Sequence, residues 1–113
     1  MGKMQEKLTD VKKLIGKLQK EQPQEIKSFL NFMTAVTKEG PLSVKQKELI
    51  NIALAVAAQC EWCIALHTNE ALRAGCSREE IMDAGMQAVL MHGGPALMYL
   101  TPLEKAIEEF GDE

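Results

Sequence analysis

The stretch SVKQKELINIALAVAAQCEWCIALHTNEALRAG, residues 43–75, decides what kind of fold this chain adopts. Ser43 opens it, and Gln46 stands three residues on. That spacing is a capping box: the serine oxygen takes a free N–H of a new helix, and the glutamine side chain reaches back to the serine N–H. From Leu49 to Ala58 nearly every residue is apolar. A helix that is apolar all round belongs at the centre of a fold. The Cys60-Glu61-Trp62-Cys63 dithiol comes next. A fourth helix begins around it and runs to about Ala74, with Gly75 suited to the C-terminal turn.

Working outward, Met4, Leu8, Val11, Leu14, Ile15 and Leu18 recur at helical spacing. They predict an amphipathic first helix over residues 1–22 that Pro23 ends. Ile26, Phe29, Leu30, Met33 and Val36 form a second stripe, stopped by Gly40-Pro41. On the C-terminal side, Ser77 and Glu80 make another capping box, opening a fifth helix through about Met91. Gly93-Gly94 interrupts the chain, and a last helix follows from about Pro95 to Phe110. Thr101-Pro102 reads as a fresh helix start inside it, predicting a kink or short break there. No segment alternates with period two over a strand's length. The expected fold class is all-α: one domain over residues 1–113, a bundle of about six helices.

Charge and composition narrow the function. Thirteen Lys and Arg against sixteen Asp and Glu give a net charge of −3. The lysines of the first helix alternate with acids and amides, so no basic block exists and no nucleic-acid partner is expected. No run approaches the ~18 apolar residues that span a bilayer, and the first residues lack a secretory h-region. A cytoplasmic protein without a membrane partner is the expectation. Aromatics are only 4%, so the core must come from aliphatic side chains and some of the seven methionines. The apolar, Met-rich stretch from Met91 to Leu100 suggests subunit contacts and a homo-oligomer.

Three cysteines is an odd number, and two of them stand in a C-x-x-C. In a reducing compartment that pattern means redox or metal chemistry before structural disulfides. Three residues apart at a helix start, Cys60 and Cys63 share a face and can bridge. The free N–H groups and dipole of a helix N-terminus stabilise a thiolate, lowering a cysteine pKa from about 8.5 toward ~3.5–7.5. The thiolate attacks, and the second thiol resolves the product. His67 lies one turn after Cys63 on the same face, where an imidazole could take the thiol proton. The redox reading needs no cofactor and no metal. A zinc reading uses the same Cys60, Cys63 and His67, with Cys76, His92 or water as fourth ligand.

The remaining polar residues are less informative. Glu48 could orient His67 from a neighbouring helix, yet periodicity alone reads it as a solvated glutamate, no different from Glu39 or Glu70. Trp62 either walls the site or packs at a contact, packing being the plainer reading. Cys76 reads as a loop thiol without a role. His92, at a helix end, reads as structural.

Taken together, Glu48, Cys60-x-x-Cys63-x-x-x-His67, Ala71, Gly75 and Ser77-Arg78-Glu79-Glu80-Ile81 resemble the alkylhydroperoxidase-D (AhpD-like) / carboxymuconolactone decarboxylase family. The stretch His92-Gly93-Gly94-Pro95-Ala96 is similar as well, and the likeness covers roughly residues 29–110. The resemblance implies an all-helical subunit that assembles as a trimer or hexamer. It implies a thiol-dependent oxidoreductase acting on a small hydroperoxide or disulfide, recharged by a dithiol reductant. By the same resemblance Cys63 is the attacking cysteine, Cys60 its more exposed resolving partner, and His67 with Glu48 the proton relay. Helix-terminus physics alone favours Cys60 as the more acidic thiol, being nearer the end. One position departs: peroxidase members of this type carry a histidine just before the second cysteine, where this chain has Trp62. That fits a disulfide reductase as well as a peroxidase. Two other readings stand beside these: a lyase on a small acid that uses His67 and Glu48 without the thiols, and a non-catalytic helical module governed by zinc or by a redox-sensing pair.

Overall fold

Local capping chemistry sets most helix boundaries. A computed structural model describes residues 2–111 and gives seven helices, with no strand among the described residues. They are α1 (Lys3–Glu21), α2 (Pro23–Thr37), α3 (Val44–Ala57), α4 (Glu61–Arg73), α5 (Arg78–His92), α6 (Gly94–Met98) and α7 (Leu100–Gly111). The Gln46 N–H donates to Ser43 Oγ at 3.1 Å, and the Ser43 N–H donates to Gln46 Oε1 at 2.8 Å. The same box closes at Ser77 and Glu80, at 3.0 and 2.8 Å. Pro23 occupies the first position of α2, where its missing N–H costs nothing.

Two helix-to-helix turns share one construction. After α3, the Gln59 N–H donates to Val56 O at 3.1 Å and the Cys60 N–H to Ala55 O at 3.2 Å. After α4, Gly75 and Cys76 donate in the same way to Leu72 O at 3.1 Å and Ala71 O at 2.9 Å. Each is a Schellman turn, whose pivot residue takes positive φ. Gly75 does so at φ 95°, as glycine readily can. Gln59 does so at φ 57°, the only non-glycine residue with positive φ among those described. That conformation costs an ordinary side chain on the order of 1 kcal/mol.

Helix α4 is the hub, packed against α1, α3 and α7 through Ile64, Ala65, Thr68 and Ala71. Helix α3 packs against α4 and α5. It is less enclosed than its composition predicts: Ile52, Ala55 and Val56 are buried, but Ile50 and Leu54 are 45% and 61% exposed. Helix α2 buries none of its residues and packs chiefly on α1, so its Phe29 and Val36 remain exposed. Its far end is held by Lys47 Nζ, which donates to the carbonyls of Val36 and Lys38. The apolar stripe was legible; its burial inside one subunit is not what the fold delivers. The expected last helix breaks at Tyr99, two residues earlier than Thr101. Starting α7 at Leu100 puts Pro102 in a first turn, where a missing donor leaves no bond unmade. No helix among the described residues is long and apolar enough to cross a membrane.

Helices α5 and α7 meet at Gly85, which is buried. A Cβ there would lie 2.8 Å from Leu100 Cδ2 and 2.9 Å from Leu103 Cδ2, and Leu103 has no exposed surface through which to retreat. Gly85→Val is therefore expected to cost about 2 kcal/mol through overpacking, read as a lower urea midpoint at unchanged slope.

Candidate active site

The α3–α4 turn is so short that Cys60 does two jobs. It is the last residue of the Schellman turn and also the N-cap of α4. Its Sγ accepts the Cys63 N–H at 3.1 Å, the place a serine or aspartate oxygen takes in an ordinary cap. Cys60 and Cys63 are joined in a disulfide, with their Cα atoms 5.2 Å apart. Both are half-buried, and Cys63 packs against the core.

One turn after Cys63, His67 Nδ1 lies 3.0 Å from Glu48 Oε1. The expectation from periodicity that Glu48 is solvated is overturned: it is 3% exposed, and its carboxylate points from α3 into α4. A buried carboxylate needs partners, and this one has two. Asn51 Nδ2 also donates to Oε1, at 3.3 Å. An ionised carboxylate can only accept. With Glu48 ionised, the ring proton sits on Nδ1 and the lone pair on Nε2, which has no hydrogen-bond partner among the described residues. Glu48 thus selects the tautomer and orientation of His67, as a carboxylate does for a working histidine. Asn51 escaped sequence reasoning, although a signal existed: it is the one polar residue in the apolar run from Leu49 to Ala58, one turn from Glu48.

The other candidates fall outside this group. Cys76 lies in the α4–α5 connection, as expected, but is buried against the core, and its Sγ donates to Lys45 O at 3.7 Å. Burial foremost, then the nearby Glu80 carboxylate, pushes its thiol pKa up, which keeps it protonated and unreactive. His92 is exposed in the last turn of α5. Trp62 is 48% exposed, with Lys7 of α1 over its ring. For zinc, the two sulfurs that would ligate are bonded to each other. No group of three or more His, Cys, Asp or Glu among the described residues is placed to hold a metal ion.

Comparison with known proteins bears on this geometry. Residues 23–104 match the sequence model of the carboxymuconolactone decarboxylase family. An uncharacterized protein of Cupriavidus necator is 38% identical over 93 residues, 82% of either chain. The crystal structure of a carboxymuconolactone decarboxylase family protein from Legionella pneumophila superposes with a TM-score of 0.94 at 39% identity, covering 97% of this chain and 98% of that one. A family protein of Thermotoga maritima, for which a part in the antioxidative response has been suggested, superposes at a TM-score of 0.76 and 26% identity over 95% of this chain and 97% of its own.

Proposed function

Because the chain belongs to the carboxymuconolactone decarboxylase family, we propose that it is a thiol-dependent oxidoreductase that cycles Cys60 and Cys63 between dithiol and disulfide. The carrying observation is the C-x-x-C at the start of α4, one turn ahead of a histidine tied to a buried carboxylate. With both thiols present, His67 Nε2 takes the Cys63 proton, and the α4 N-terminus favours the resulting thiolate. Against a hydroperoxide, the thiolate attacks one peroxide oxygen and the O–O bond breaks. Sulfur is oxidised to the sulfenic acid, and the other oxygen leaves as an alcohol after taking a proton. The Cys60 thiol then displaces water from the sulfenic acid and closes the disulfide. Against a disulfide, Cys63 forms a mixed disulfide and releases one thiol; Cys60 displaces the second. In either case an external dithiol restores the pair by exchange. The suggested antioxidative role of the Thermotoga maritima relative fits the peroxide branch.

Thiol counting tests the reading. Reduced protein treated with one equivalent of a small alkyl hydroperoxide should lose two of its three thiols, counted after denaturation so that buried Cys76 is included, and release one equivalent of alcohol. Three thiols remaining with the peroxide intact would end the peroxidase branch, and an aromatic disulfide then tests the exchange branch in the same format.

The reading includes a homo-oligomer, trimer or hexamer. What supports it is apolar surface with no partner in one subunit: Phe29, Phe32 and Val36 on α2, Ile50 and Leu54 on α3, and Leu90, Met91 and Met98 near the C-terminal turn. So much exposed hydrocarbon on a 113-residue chain calls for cover. Light scattering at micromolar concentration should give three or six times the 12.5 kDa subunit mass, and a monomer there would contradict it.

A further inference from the structure

Helix α1 precedes the residues that match the family, yet its Lys7 reaches both residues that separate the two cysteines. Lys7 Nζ lies 3.8 Å from Glu61 Oε1 and 4.5 Å from the centre of the Trp62 ring. The lysine side chain is only 24% exposed, and its helix is well anchored. Met4 and Leu8, on either side of Lys7, are buried, and Glu109 of α7 accepts the Gln5 backbone N–H at 2.9 Å. That carboxylate sits where a helix start favours an anion.

We propose that Lys7 is a positioning residue for the dithiol: it holds the Glu61-Trp62 bridge in place and neutralises the Glu61 carboxylate, keeping the start of α4 favourable to a thiolate. This rests on the dithiol reading above. Glu61 lies in the first turn of α4, directly after Cys60. Unneutralised, it competes for the positive end of the helix and repels a thiolate beside it. Trp62 offers its ring face to the same cation, an attraction that ties the half-exposed indole to α1. The surrounding charges do not substitute for Lys7. A cleft of about 520 Å³ opens beside Glu61, lined also by Lys3, Lys105, Glu6 and Asp10, and among the described residues Lys7 alone forms an ion pair with Glu61. On the α3 side, His67 is already engaged by Glu48. The Lys7–Glu61 pair is thus the one whose breaking changes the net charge next to Cys60.

The test measures the rate at which the reduced 60/63 pair reacts with an aromatic disulfide reagent across pH, together with the midpoint potential of the pair. Lys7→Met is expected to raise the apparent thiol pKa by roughly half a unit and to slow the reaction by up to about threefold at pH values below that pKa, the range of a surface charge pair. Its midpoint moves to more reducing values, because the thiolate-bearing reduced form loses stabilisation. Lys7→Arg restores wild-type values. Glu61→Gln, which removes the repelling charge without touching α1, shifts the pKa down, and the Lys7→Met/Glu61→Gln double variant returns near wild type. High salt narrows the gap between Lys7→Met and wild type. A pH profile and potential unchanged in folded Lys7→Met, or no shift in Glu61→Gln, overturns the proposal while a reactive wild-type pair leaves the dithiol reading standing. A wild-type pair that reacts like ordinary exposed thiols overturns both.

Discussion

Cys63→Ser is expected to abolish turnover, lowering the rate by at least about a thousandfold, since it removes the attacking thiol of the proposed cycle and Cys60 alone cannot close the 60–63 disulfide. Cys60→Ser has a different signature. Cys63 and His67 remain, so one equivalent of hydroperoxide is still consumed. The sulfenic acid then has no resolving thiol, because Cys76, the remaining cysteine, is buried in the core. Stopped-flow measurement with one equivalent of peroxide should show a single event in Cys60→Ser and none in Cys63→Ser, while steady-state turnover is lost in both. Mass spectrometry should find one added oxygen on Cys63 of the Cys60→Ser protein. The reverse pattern would assign the attack to Cys60, as the dipole argument taken alone suggests. A lyase acting through His67 and Glu48 would keep its activity in both variants, which makes the pair of substitutions decisive between reaction classes.

The second large effect is at Glu48. Glu48→Gln preserves the shape of a side chain that is 3% exposed and removes only its charge. His67 Nδ1 keeps an acceptor in the amide oxygen but loses the carboxylate that favours the protonated ring after it takes the Cys63 proton. A drop of about 10- to 100-fold in the rate of thiolate attack is expected, within the usual share of a positioned general base. The midpoint of thermal unfolding should move little, because Asn51 can reorient its own amide to meet the new one. Full activity in Glu48→Gln would reduce the carboxylate to a packing role. Glu48→Leu is the harsher control: it strands the Nδ1–H and should cost stability as well as rate.

Much of this architecture was written locally. Ser43 with Gln46 and Ser77 with Glu80 fix two helix starts, because a capping box uses only residues three apart. The dithiol with His67 was legible for the same reason, lying within two turns of one helix. What could not be read depends on elements distant in sequence. Glu48 stands at the polar edge of α3, so period alone exposes it; its burial comes from α4 laying His67 against it. Gln59 carries no sign of a left-handed conformation, a position where glycine is expected, and only the fusion of a Schellman turn with the Cys60 cap demands it. Lys7 looks like any lysine on the wet face of α1 until that helix packs beside Trp62. The apolar stripe of α2 was plain, but a stripe does not say whether its cover belongs to the same chain.

Under the proposed function the 60–63 disulfide is a working bond rather than a brace. Equilibrating the protein in glutathione and dithiothreitol buffers of graded potential and following the fluorescence of Trp62, the only tryptophan and the residue directly before Cys63, reads this out. A reversible two-electron transition is expected between roughly −120 and −270 mV, the span of catalytic C-x-x-C pairs, because the α4 N-terminus stabilises the reduced thiolate form. A pair that stays oxidised below about −300 mV, where structural disulfides lie, would contradict it.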